Sequence, residues 1–172
     1  MTGTRLAAEH LADLTASAQP RDQALLLLSV DEAGPPRVAL LSRAEVHVVA
    51  DDLLLVAVWS GSRSATNIER SGAATLFWVV DGAAVSASLR CTDSGHLAAA
   101  PSGDLAGHAL RALTLRVVDV RVDEVRYAEL TAPLMFAVHE PEEIMSRWED
   151  VARRLGAVAL SLQDGSDSRG GG

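Results

Sequence analysis

The chain has 172 residues, 48% of them hydrophobic, and 15 basic against 23 acidic side chains for a formal charge of −8, which suits one domain with a substantial core. Every basic residue is arginine, so Schiff-base chemistry and the lysine of a nucleotide-binding P-loop are excluded, and no basic stripe is available for nucleic acid. No apolar run is long enough for a membrane span, the first ten residues lack the apolar core of a secretion signal, and the single Cys91 cannot form an internal disulfide; a soluble cytoplasmic protein with no membrane partner is expected.

From Arg5 to Ala18, Ala7, Leu11 and Leu14 recur at helical spacing with Glu9 and Asp13 elsewhere, which predicts an N-terminal helix. After Pro20, strand-like runs follow closely: Ala24 to Val30, Arg37 to Leu41, Val46 to Ala50 and Leu53 to Trp59, punctuated by Pro35, Pro36, Asp51 and Asp52. Ala73 to Val80 and Ala83 to Arg90 flank Asp81-Gly82, a pair suited to a two-residue hairpin turn because both central positions need positive φ. Thr92 to Gly107 is rich in small residues and predicts a loop or irregular excursion. Leu113, Leu115 and Val117 then alternate with polar positions, and Val118, Val120 and Val122 continue one residue out of phase, so a bulge is expected near Val117 and Val118. Glu140-Pro141-Glu142-Glu143 opens an amphipathic C-terminal helix carrying Ile144, Trp148, Val151 and Leu155. Residues 1–163 read as a single domain and 164–172 as a disordered tail. Closely spaced strands with few helices favour a mainly β (α+β) antiparallel barrel over a doubly wound α/β sheet.

Between Leu53 and Gly72 an apolar strand runs into Gly61-Ser62-Arg63-Ser64. The free amides of a helix's first turn attract an anion, and a planar guanidinium adds a full charge, so this turn is a candidate phosphate site. The same residues also fit a serine helix cap with a solvated Arg63. Trp59, at the strand's end, and Trp78 fit either a planar ligand or core packing; Trp148 fits packing. His10, His47, His96, His108 and His139 show no metal-ligand spacing, Cys91 reads as an inert thiol, and Gly-x-Ser-x-Gly is absent.

Two motifs in order, Arg37-Val38-Ala39-Leu40-Leu41-Ser42 and Gly61-Ser62-Arg63-Ser64, resemble the Arg-x-x-Leu-Leu-Lys strand and Gly-Ser-Arg-Lys turn of the FMN-binding split-barrel family that includes pyridoxamine 5'-phosphate oxidase. Asn67, Ile68, Gly72 and the strand from Ala73 are similar to the helix and strand after that turn in the wider family. The resemblance covers roughly residues 24–125 and implies an antiparallel split β-barrel with an N-terminal and a C-terminal helix, forming a homodimer with FMN at its interface. Arg63 would pair with the phosphate, Ser62, Ser64 and Thr66 would donate hydroxyl hydrogen bonds, and Arg37 would contact the flavin. Trp59 and Ser60 would flank it, with Ser42, Gly61 and Asn67 completing the site. Both family lysines are serines here, Ser42 and Ser64, and the substrate-recognising C-terminal segment of the true oxidases has no clear counterpart. The resemblance therefore implies a flavin-dependent oxidoreductase or flavin reductase on a small-molecule substrate, not a true pyridoxamine phosphate oxidase. Its alternatives are a deazaflavin-dependent reductase, with the two serines opening room, and a non-catalytic binding or stress-response protein, including a haem binder.

Overall fold

A computed structural model of the chain describes residues 2–3, 10, 14, 23–97 and 109–167. Its strands are β1 (Thr2–Gly3), β2 (Ala24–Val30), β3 (Pro36–Ser42), β4 (Val46–Ala50), β5 (Leu53–Trp59), β6 (Ala73–Val80), β7 (Ala83–Leu97) and β8 (Leu110–Asp123), with helices α1 (Arg63–Ser71) and α2 (Pro141–Asp167). They form one antiparallel sheet in the order β3-β2-β6-β7-β8-β5-β4, with β1 beside β8. The edge strands β3 and β4 are consecutive in the chain, yet only the short 3-10 turn Arg43–Glu45 joins them and no ladder pairs them. The sheet is thus an antiparallel barrel split along this seam.

Its interior is apolar because each strand turns alternate residues inward. Leu25 and Leu27 of β2, Leu54 and Val56 of β5, Leu76 and Trp78 of β6, Val85 and Ala87 of β7, and Leu113 and Leu115 of β8 make one cluster with Ile68 of α1. A second cluster lies where α2 covers another sheet face, with Val151, Leu155 and Ala159 against Leu55, Ala57, Leu110 and Ala112. At the seam, buried Arg43 donates through Nε to Gln23 Oε1 at 2.6 Å, and Gln23 Nε2 donates to the Val79 carbonyl at 3.1 Å.

Most predicted strands lie where the pattern put them. Asp81 and Gly82 adopt φ of 48° and 80°, the two positive values a tight hairpin turn requires. Ser88 faces Asp119 and Leu89 faces Val117, so Val118 is the bulged residue and the inward set passes from Val117 to Val120.

The loop expected from Thr92 is a correction. β7 continues to Leu97, with Asp93 through Leu97 paired to Thr114 through Leu110 after a bulge at Thr92. The apolar β8 supplies a complete hydrogen-bonding ladder, which outweighs the weak strand propensity of Asp93, Ser94 and Gly95. The remainder of that predicted loop, 98–108, lies outside the described residues. So does most of the predicted N-terminal helix; within it His10 and Leu14 are helical and Leu14 is fully buried. The tail expected to be disordered from 164 is helical as far as Asp167, and 168–172 lie outside the described residues.

Candidate functional site: an anion cleft at the start of α1

β5 delivers the chain to a sharp corner. The Ser60 amide donates to the Ala109 carbonyl and the Ser62 amide to the Trp59 carbonyl, both at 2.9 Å. Ser62 then caps α1: its backbone is extended (ψ 149°) and its Oγ accepts from the Ala65 amide at 3.1 Å. Capping leaves the amides of Arg63 and Ser64, at the first two helical positions, without intrahelical partners. Arg63 is exposed and makes no hydrogen bond or ion pair with the described residues. At the other end Gly72 closes the helix at φ 67°, donating to the Ile68 carbonyl, a left-handed cap suited to glycine.

A cleft of about 360 Å³ opens beside this helix start. Gly61, Arg63, Thr66 and Asn67 line it from the α1 end, and Asp31, Glu32 and Ala33 from the turn after β2. Asp31 is the link between them. Its carboxylate accepts from Asn67 Nδ2 at 2.8 Å and from Arg37 Nε. Asn67, itself buried, also donates to Ser29 Oγ at 3.3 Å. The Asn67 hydrogen bond, then that of Arg37, holds the Asp31 carboxyl below the usual range, with the nearby Arg63 charge adding to both.

The far flank of α1 is anchored to β7 and β8. Glu69 accepts from Ser94 Oγ at 2.5 Å and from Arg111 Nη1. The Ser94 hydrogen bond, followed by Arg111 and the charge of His96, holds Glu69 below its ordinary value. Arg70 Nη2 donates to the Val30 carbonyl at 2.7 Å. With ties to β2 on one side and to β7 and β8 on the other, the helix start is held in a fixed direction.

Of the ten residues singled out from the sequence, Gly61, Arg63, Thr66 and Asn67 line the cleft. Ser62 forms its cap and Arg37 reaches it through Asp31. Ser64 is buried under the helix, and Ser60 Oγ is buried with no hydrogen-bond partner among the described residues. Trp59 faces the α2 cluster, where the Arg147 guanidinium sits 4.6 Å from its ring centroid. Ser42 stands apart from the cleft at the end of β3. It is 1% exposed, and its amide and Oγ donate to Glu45 Oε2 at 2.7 and 3.1 Å, a capping box for the seam turn. Burial pushes the Glu45 carboxyl up, against those two hydrogen bonds. Trp78, at 1% exposure, belongs to the core. Sequence reasoning missed Asp31 and Glu32, because an acid before Ala33-Gly34-Pro35 reads as turn punctuation; Gly34 does take φ of 97°.

Over 148 residues the chain is 30% identical to the uncharacterized protein YclD of Bacillus subtilis (strain 168), covering 85% of this chain and 91% of that protein. The chain belongs to the YclD family. No family model matches it. Among solved structures, this YclD-family chain is similar to an FMN-binding protein from Syntrophomonas wolfei subsp. wolfei, at 13% identity and a TM-score of 0.48 over 69% of this chain and 84% of that one. It is also similar to nitrilotriacetate monooxygenase component B from Bacillus cereus, at 14% identity and a TM-score of 0.47 over 76% of this chain and 91% of that one. Among its described residues, no helix is long and apolar enough to cross a membrane.

Proposed function

We propose that the chain binds a flavin nucleotide, FMN in the first instance, with its phosphate at the start of α1, and serves as a flavin-dependent oxidoreductase or flavin reductase on a small substrate. The observation that carries this reading is Arg63, an exposed arginine without an ion-pair partner among the described residues, at a capped helix N-terminus that lines a cleft. The residues present fit a phosphate: Arg63 supplies the full charge, the amides of Arg63 and Ser64 supply donors, and the exposed Thr66 adds a hydroxyl, which donates to the Ser62 carbonyl at 3.3 Å here and would turn from it to reach a ligand. Ser62 can also donate, because its cap uses the hydroxyl oxygen only as an acceptor. A bound flavin supplies the electron-transfer chemistry, and the chain's part is to bind and orient it.

A homodimer completes this reading. Val38 and Leu40 of β3 are 59% and 58% exposed, and they face Leu28 and Leu26 across the β2–β3 ladder. With Val30 at 47% exposure they form an apolar outer face next to the Asp31 turn, which supports a second copy packing beside the cleft. A deazaflavin nucleotide is the alternative ligand for the same cradle. Ser42, one of the two serines that would open room for it, lies outside the cleft lining and is bonded to Glu45.

Titrating the purified chain with FMN, following the flavin absorbance and fluorescence, tests the reading. Saturable binding is expected, and Arg63→Ala should weaken it by about 10- to 150-fold, the worth of a charge-assisted contact of about 1.5–3 kcal/mol. A parallel titration with the deazaflavin separates the two ligands by spectrum. Failure of both to bind, or an Arg63→Ala variant with wild-type affinity, refutes the assignment.

A further inference from the structure

The corner that presents the α1 amides is a four-residue turn, in which the Ser62 amide donates to the Trp59 carbonyl at 2.9 Å across Ser60 and Gly61. Its two central side chains do not hold it by hydrogen bonds. Ser60 Oγ is buried with no hydrogen-bond partner among the described residues, and a Cβ at Gly61 would meet nothing within 4 Å. The side chain available to fix the turn is that of its first residue. The half-buried Trp59 ring packs against the α2 cluster, with the Arg147 guanidinium 4.6 Å from its centroid. The same guanidinium meets charge from the seam: α2 packs on the Arg43–Glu45 turn as well as on β5, and the Arg147 charge acts on the Glu45 carboxyl. Arg153 and Arg154, further along the helix, instead pair with Asp150 of α2 itself.

We propose that Arg147 is a positioning residue for the phosphate corner: clamped over Trp59, it keeps the Trp59–Ser62 turn in the form that aims the Arg63 and Ser64 amides at a ligand. Docking of α2 then sets cofactor affinity. This rests on the reading of the cleft as a flavin-phosphate site. A turn already held in its bound form loses less freedom when the ligand arrives, so releasing the ring weakens binding without removing any contact to the ligand.

The test titrates FMN and riboflavin, which share the ring and ribityl chain but not the phosphate, into the full chain and into its Arg147→Met and Arg147→Lys variants. Arg147→Met keeps much of the aliphatic stem and loses the charge. It should bind FMN about three- to tenfold more weakly, the scale of a partly buried cation over an indole face. Riboflavin should bind all three proteins alike, since the corner aims at the phosphate and leaves the ring alone. Arg147→Lys should restore FMN binding to within about twofold, because an ammonium can also sit over the ring. Arg153→Met, at a largely exposed position of the same helix, should leave both ligands as in the wild type. Equal FMN affinity in the wild type and Arg147→Met overturns the inference and leaves the flavin reading standing. So does an equal loss for riboflavin, or an Arg147→Lys variant as weak as Arg147→Met; either makes Arg147 ordinary packing for α2. A wild-type chain that binds no FMN removes the flavin reading, and this inference falls with it. Should Arg147→Met not fold, Arg147→Gln takes its place with the same outcomes.

Discussion

Ser62 has two separable duties, and substitutions at that one position pull them apart. As the α1 cap its Oγ accepts the Ala65 amide at 3.1 Å, and removing such a cap costs about 1 kcal/mol within a range of about 0.5–2. For a chain of this length that corresponds to a melting temperature lower by about 2–4 °C per kcal/mol. Ser62→Ala should show this loss in a thermal melt, together with FMN binding weaker by about three- to tenfold for one neutral hydrogen bond. Ser62→Asp should behave differently. Aspartate caps as well as serine and complements the helix dipole, so the melting temperature should return to the wild-type value or above it. Its carboxylate would also occupy the amides that a phosphate needs, and FMN affinity should fall by more than about tenfold. A Ser62→Asp variant that binds FMN as tightly as the wild type would refute placement of the phosphate at this helix start. A Ser62→Ala variant with an unchanged melt would refute the cap.

Other outcomes follow from the same structure. If the proposed homodimer forms through the exposed outer face of β3, Leu40→Asp should shift it towards monomer in analytical ultracentrifugation while leaving the far-UV circular dichroism unchanged; a wild-type chain that sediments as a monomer, or a variant with an unchanged sedimentation coefficient, would refute a dimer on this face. Glu69 and Asp31 both have carboxyl groups held below their ordinary values, so they contribute stability above the unfolded pKa that is lost as pH falls through the folded one. Thermal melts taken from about pH 6 down to about pH 3 should decline, and Glu69→Gln should flatten that decline. Leu113, fully buried in the barrel interior, should cost about 2–5 kcal/mol when cut to alanine, read from chemical denaturation.

How far the sequence spoke depended on whether a feature is local. The Asp81-Gly82 turn, the Val118 bulge and the apolar positions of α2 are set by alternation and turn chemistry within a few residues, and each was legible. The second half of β7 was not, since Asp93 to His96 carry no strand pattern and are ordered by the partner strand β8. The site divided in the same way. The Ser62 cap and exposed Arg63 lie in one short stretch and could be read directly. Asp31 gains its meaning only from Arg37 and from Asn67, 36 positions away, and Ser42 reads as a site residue because it stands at the position of a family lysine, although its Ser-x-x-Glu spacing to Glu45 is the local mark of the capping box it forms.

The seam between β3 and β4 also bears on colloidal behaviour. A barrel that does not close leaves strand edges with unmatched backbone groups, and β3 presents one of them beneath the apolar sequence Val38-Ala39-Leu40-Leu41. Lysine commonly discourages sheet edges from pairing with one another, and this chain has none; Pro36 and Arg37 at the start of β3 do that work alone. If a second copy covers that face, as proposed, a chain deprived of it should fail by precipitating through β3 before its core unfolds. Solubility after dilution, more than melting temperature, would register the loss.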